Sequence, residues 1–137
     1  KGEDLGEAGS LLQAAVTGFS EAYSMIDLAI GDQVMQVLGQ QRPATERVRL
    51  FLAARDIAIA TSKPTQLSIR NMLSVTITDI APLTGQMRGL VAVHLTVNGS
   101  DERLCAHISK AACEALNLQL GAEVFALIKS ARISTPA

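Results

Sequence analysis

Apolar residues return at every second position along most of this chain, the period of a half-buried strand rather than of a helix. In the first half, Leu11 to Phe19, Met25 to Ile30, Val34 to Leu38, Val48 to Leu52 and Ile57 to Ala60 predict five short strands. In the second, Met72 to Ile80, Leu90 to Val97 and Arg103 to Ile108 predict three more, and Val124 to Ile128 a last long strand that Lys129 to Ile133 continues. Within Met72 to Ile80, Leu73, Val75, Ile77 and Asp79 share one side, and the β-branched content supports a strand. Gly31-Asp32 and Asn98-Gly99 are turn signals, the second a strong hairpin signal. Gly39 to Thr45, Thr61 to Thr65 and Ala81 to Gly89 carry the prolines or glycines of loops. Only Ser109 to Leu116 changes period. There Ser109 can cap a helix whose face holds Ala112, Ala115 and Leu116, with Asn117 and Gly121 closing the region.

The two halves match in order. Val48, Phe51, Leu52 and Ile57 align with Val124, Leu127, Ile128 and Ile133 at a constant offset of 76, and Leu12, Val16 and Phe19 with Leu73, Ile77 and Ile80 at an offset of 61. An internal repeat of about five short strands predicts an all-β protein of OB-like Greek-key barrels, with one short helix in the second half. Neither half holds much core alone, so the halves are expected to pack on each other or to exchange strands with a partner.

Composition narrows the function. Among 137 residues, twelve Lys and Arg balance thirteen Asp and Glu, a net charge of -1, and aromatics are only 3% with no Trp. That excludes the basic field of a nucleic-acid binder and the stacking platform of a single-strand binder, so no nucleic-acid partner is expected. At 48% apolar residues the core is aliphatic. Cys105 and Cys113, with His94 and His107, lack metal-ligand spacing and read as reduced, semi-buried strand or helix residues of a cytosolic protein. No apolar run is long enough for a membrane helix, and Lys1 to Ser10 is unlike a signal peptide. No acid stands near Cys105 and His107 to complete a triad, no paired carboxylates stand out, and no P-loop is present. The chain does not read as an enzyme. It also lacks an initiating Met, which fits a fragment of something longer.

Anion binding suits the residues better. Ser68, Arg70 and Asn71 place a hydroxyl, a guanidinium and a carboxamide within four residues of a predicted strand, with no acid among them. Convergent donors, some charged, are what a tetrahedral oxyanion requires. Ile128-Lys129-Ser130 is a second acid-free cluster, and Ser109-Lys110 a third at a helix start.

These residues carry a resemblance. Leu67 to Asn71 (L-S-I-R-N) is similar to the T-S-A-R-N-type opening of the molbindin, or Mop, domain. I-S-K-A-A-C-E-A-L-N-L-Q-L-G-A-E-V at 108 to 124 and A-L-I-K-S-A-R-I at 126 to 133 resemble that domain's middle and closing segments. V-R-L-F-L-A-A-R-D-I-A-I-A at 48 to 60 resembles the strand before this domain in molybdate-importer ATP-binding subunits. The whole chain thus resembles their C-terminal, TOBE-type regulatory portion. The division expected is a linker over 1–9, a first TOBE-like β subdomain over 10–62, a molbindin-like oxyanion-binding domain over 63–134 and a tail over 135–137. The resemblance implies a molybdate or tungstate ligand and no other cofactor, bound between subunits of a homodimer by Ser68, Ile69, Arg70, Asn71, Lys129 and Ser130, with Ser109 beside them. No metal is ligated directly, since it enters as the oxyanion. Ile69 replaces the small residue common there, which implies a tighter or drier pocket. The parent would carry an ATPase domain, dock on a membrane permease from the cytoplasm, and sense molybdate to inhibit transport. A stand-alone molybdate-storage molbindin and the effector domain of a molybdate-responsive transcription regulator are the alternatives.

Overall fold

The computed structural model describes residues 7–136. Ten strands follow in order: β1 Gly9–Ser20, β2 Met25–Ile30, β3 Gln33–Leu38, β4 Arg47–Ala53, β5 Ile57–Ala60, β6 Asn71–Pro82, β7 Leu90–Val97, β8 Arg103–Ser109, β9 Glu123–Ile128 and β10 Arg132–Pro136. A single short helix among the described residues, α1 Lys110–Ala115, follows β8, and a 3-10 turn at Ala54–Asp56 joins β4 to β5. The protein is all-β, built as two curled OB-like Greek-key sheets. Of the expected linker and tail, residues 1–6 and 137 lie outside the described residues, while Gly9 opens β1 and β10 runs to Pro136.

The sheet orders are β10-β4-β1-β2-β3 and β5-β9-β6-β7-β8. Read side by side, they are one pattern used twice, with the last strand of each set moved to the other sheet. β5 pairs with β9, and β10 returns to pair with β4. Strand exchange therefore takes place within the chain, which welds two small cores into one cluster running from Leu12 through Leu50 and Leu73 to Ile128. A core shared in this way buries more apolar surface than either set of strands buries alone.

The repeat extends to irregularities. β1 slips against β2 between Val16 and Gly18, and β6 slips against β7 between Ile77 and Asp79. The second bulge corrects the expectation that Asp79 shares a side with Leu73, Val75 and Ile77: the extra residue resets the alternation, and Asp79 is exposed while those three are buried. Two seams also match. Where β3 meets β6, Gln36 N donates to Asn71 Oδ1 (2.9 Å) and Ser74 N to Gln33 Oε1 (2.7 Å). Where β8 meets β1, Cys105 N donates to Ser10 Oγ (3.0 Å) and Gln13 N to Glu102 Oε1 (3.1 Å). The side chains differ, but each seam satisfies the same two backbone donors.

Two further expectations are corrected. Lys129 to Ile133 does not prolong β9. Lys129 N donates to Asp56 O (2.9 Å), the ladder ends at Ile128, and Arg132 restarts opposite Phe51 in the other sheet. On α1, Ser109 Oγ accepts from Ala112 N (2.9 Å) as a cap should. The inward residues are Cys113 and, just after the helix, the buried Leu118, whereas Ala115 and Leu116 are exposed. A helix of 6 residues is too short for the face drawn from sequence.

The hairpin tips of the two halves meet. Gly31 (φ +61°) would place a Cβ 2.6 Å from Gly99 O, and Gly99 (φ +82°) would place one 2.6 Å from Asp32 Oδ1. Gly31→Ala is expected to destabilise the protein by about 1–3 kcal/mol, from left-handed strain and the clash with backbone. A urea melt checks this, and an unchanged midpoint would show that the tips can separate freely.

Candidate functional site

β6 and β9 run antiparallel with Asn71 opposite Ile128. The residues before Asn71 and after Ile128 therefore leave the sheet at the same end. Gln66 turns the incoming chain with a left-handed φ of 64°. The result is a cavity of about 270 Å³, lined by Ser68, Ile69, Arg70 and Asn71 from one segment and by Ile128, Lys129, Ser130 and Ala131 from the other. Since a water occupies about 30 Å³ of liquid, this is room for one tetrahedral oxyanion with several waters. β2 and β3 close the far wall through Met25, Gln36, Val37 and Leu38. Sequence reasoning missed this wall because the β3–β6 seam joins residues far apart in the chain.

Six of the seven expected residues thus line one cavity. Ser109 does not: its hydroxyl caps α1 and is absent from the lining. Within the cavity the groups differ in freedom. Asn71 Nδ2 donates to Gln36 O (2.8 Å) while its Oδ1 accepts from Gln36 N, so the carboxamide clips the two sheets together. Arg70 and Lys129 are exposed and bring two positive charges to the opening. Ser130 Oγ donates to Asp56 Oδ2 (3.0 Å).

That last bond corrects the expectation of an acid-free Lys129-Ser130 cluster. Strand exchange delivers the acid: Asp56 precedes β5, whose Ile57 pairs with Ile128, so its carboxylate lands beside Ser130. Local sequence could not show it, because Asp56 and Ser130 are 74 residues apart.

Cys105 and Cys113 are free thiols, and burial pushes the Cys105 thiol above its usual range. His107 is held below its usual range, first by burial and then by the nearby His94. A histidine whose folded pKa is depressed binds its proton more readily when unfolded. Stability is therefore expected to fall slightly as pH drops through the ordinary histidine range, about 6.5, towards the lowered folded value. A His107 proton-NMR titration midpoint at or above 6.5 would contradict this. No three His, Cys, Asp or Glu among the described residues gather to hold a metal ion, and none of the described helices is long and apolar enough to cross a membrane.

Two interlocked Greek-key sheets thus carry a cavity with Ser, Arg and Lys donors at the paired ends of β6 and β9. Residues 67–134 match the model of the TOBE domain family. Across its length the chain is 38% identical over 130 residues to the molybdenum import ATP-binding protein ModC of Mesorhizobium japonicum, covering 93% of this chain and 33% of that protein. It is 31% identical to the ModC protein of Brucella abortus (94% and 34%) and 32% identical to that of Salmonella choleraesuis (91% and 34%). The chain spans about a third of the length of these relatives and is homologous to their C-terminal region. Its fold matches the crystal structure of the cytoplasmic molybdate-binding protein ModG, with a TM-score of 0.76 at 21% identity, covering 92% of this chain and 95% of that one.

Proposed function

We propose that this chain is the regulatory part of a molybdate importer's ATP-binding subunit, binding molybdate or tungstate in the cavity between Ser68–Asn71 and Ile128–Ser130. The observation that carries this reading is the convergence of two distant donor segments, each with one fixed cation, on a single opening. Arg70 offers a planar fork of donors and Lys129 a point charge, a pair suited to a doubly charged oxyanion. Ser68 adds a hydroxyl, Ser130 lines the rim with its own hydroxyl donated to Asp56, the backbone around Ile69 and Arg70 adds amides, and Asn71 holds the frame. Relatives described as molybdenum import ATP-binding proteins support an oxyanion of molybdenum as the ligand.

In this reading the opening is completed by a second copy of the chain. Leu38, 76% exposed, lines the cavity, and Tyr23, 76% exposed, stands with Arg70 along its rim. Covering them would dry the site and strengthen its charged hydrogen bonds. In the parent, an anion that prefers the paired regulatory domains would hold them together, bias the ATPase cycle on the cytoplasmic side, and limit import through the permease. A storage role without a transporter is the second reading, favoured by the near-complete overlap with the ModG fold.

Calorimetric titration with molybdate, tungstate, sulfate and phosphate tests the proposal. Molybdate and tungstate are expected to bind well below millimolar concentration and nearly alike, since charge and shape are shared. If none of the four binds below millimolar, the proposal fails. Asp56→Asn should raise affinity: it keeps a partner for Ser130 and removes a charge that opposes the anion. At about 4 Å in water such a charge is worth about 1 kcal/mol, so a gain of about fivefold is expected in the same titration, and a loss would show that Asp56 assists binding.

A further inference from the structure

We infer that each chain has one anion-competent position, and that its twofold-related counterpart has lost its anion donors and holds the chain's own carboxylate, Glu7, where an anion would sit. This rests on the oxyanion reading above and adds how many anions a chain can take. The repeat defines the counterpart without ambiguity. Ser10 pairs with Leu52 in β1–β4 as Asn71 pairs with Ile128 in β6–β9, the offsets being those of the aligned core residues. Ser68, Arg70, Lys129 and Ser130 then correspond to Glu7, Gly9, Ala53 and Ala54.

All four of these donor side chains are lost in that translation. Lys129 and Ser130 become alanines. In place of Arg70 stands Gly9, where any Cβ would lie 2.5 Å from Phe51 Cζ and 2.6 Å from Leu52 O, so the position admits no side chain at all. In place of Ser68 stands an acid.

The backbone closes as well. The β6–β9 ladder stops at Asn71 and Ile128, leaving Arg70 and Lys129 splayed around an opening. The β1–β4 ladder runs one pair further, to Gly9 and Ala53, and Ala54 N then donates to Ala8 O (2.9 Å). The Ala54 amide, the counterpart of the Ser130 amide, is thus bonded across the gap.

Charge is inverted between the two positions. At the open one, two cations from the second half meet one acid, Asp56, brought by the exchanged segment. At the closed one, Glu7 forms an ion pair with Arg55, and Arg132 Nη1 lies 3.9 Å from its other oxygen. Arg132 occupies the place that corresponds to Asp56, and its guanidinium lies 4.5 Å from the centre of the Phe51 ring. The carboxylate of Glu7 already takes the negative role that the anion takes opposite Arg70 and Lys129.

Equilibrium dialysis of the full chain against labelled molybdate tests this. Binding by the unaltered chain is expected to saturate at no more than one anion per chain. The Arg70→Ala, Lys129→Ala double variant, shown folded by circular dichroism, is expected to retain no saturable binding. Glu7→Gln is expected to leave affinity and stoichiometry as they were. Two anions per chain, or saturable binding in the double variant, would overturn the inference while leaving the oxyanion reading intact. A change in anion affinity or count on Glu7→Gln would overturn the independence of the two positions. No binding by the unaltered chain would instead remove the oxyanion reading, and this inference with it.

Discussion

Arg70→Ala is expected to weaken molybdate binding by about 10- to 150-fold, and Lys129→Ala by a similar factor. The range corresponds to about 1.5–3 kcal/mol for a hydrogen bond to a charged group. The two side chains come from segments that meet only because Asn71 lies opposite Ile128, and they flank the same cavity. They share one ligand, so their losses need not add, and a double-mutant cycle would measure the coupling. Neither substitution removes a core contact, as both residues are exposed. Thermal stability without anion should therefore hold steady while affinity falls. Equal binding by unaltered protein and Arg70→Ala in a calorimetric titration would mean that the guanidinium serves only the surface.

The largest stability effect is expected from Ile128→Ala, a loss of about 2–5 kcal/mol. Ile128 is 1% exposed and belongs to the shared core. It is paired on one side with Ile57 of the exchanged β5 and on the other with Asn71 of β6. Truncation opens a cavity at the one place where the exchange, the second sheet and the floor of the anion site coincide. In urea the midpoint should drop with the slope unchanged, because a single cooperative core spans both sheets. A drop below about 1 kcal/mol, or a second transition, would show that the exchanged strands are not integral to the core.

Much of this architecture was legible because strand periodicity is local. β2, β5 and β7 fall where alternation and turn residues put them, and the Asn98-Gly99 tip lies in the β7–β8 hairpin loop, with Gly99 at φ +82° and Ser100 N donating to Val97 O (3.1 Å). The repeat was legible for the same reason, since equal offsets of core residues record equal structures. The sequence pattern could not show where the fifth and tenth strands go. Ile57–Ala60 and Arg132–Pro136 carry no local mark of the sheet they join, and that choice is made by the core they complete. The misjudged continuation of β9 follows from this, because an apolar run looks alike whether it stays in a sheet or crosses to another.

The candidate site divides along the same line. Its donors were legible as residue types at short spacing, whereas what holds and opposes them is non-local. Asn71 reads as a ligand in sequence but clips β6 to Gln36 of β3. Ser130 reads as unaccompanied but has Asp56 as its partner. Ser109 matched the pattern of a helix-start donor, and its hydroxyl is taken up by the cap it forms. Glu7 carried no signal at all until the twofold relation set it against Ser68.

The most direct measurement is a molybdate titration of the isotopically labelled chain followed by backbone amide NMR. Saturable shifts are expected for the amides of Ser68 to Asn71 and Ile128 to Ala131, with those of Ala8 to Ser10 and Leu52 to Arg55 unmoved. Shifts concentrated at the second group, or scattered over surface lysines and arginines without saturation, would contradict an oxyanion site at the paired ends of β6 and β9.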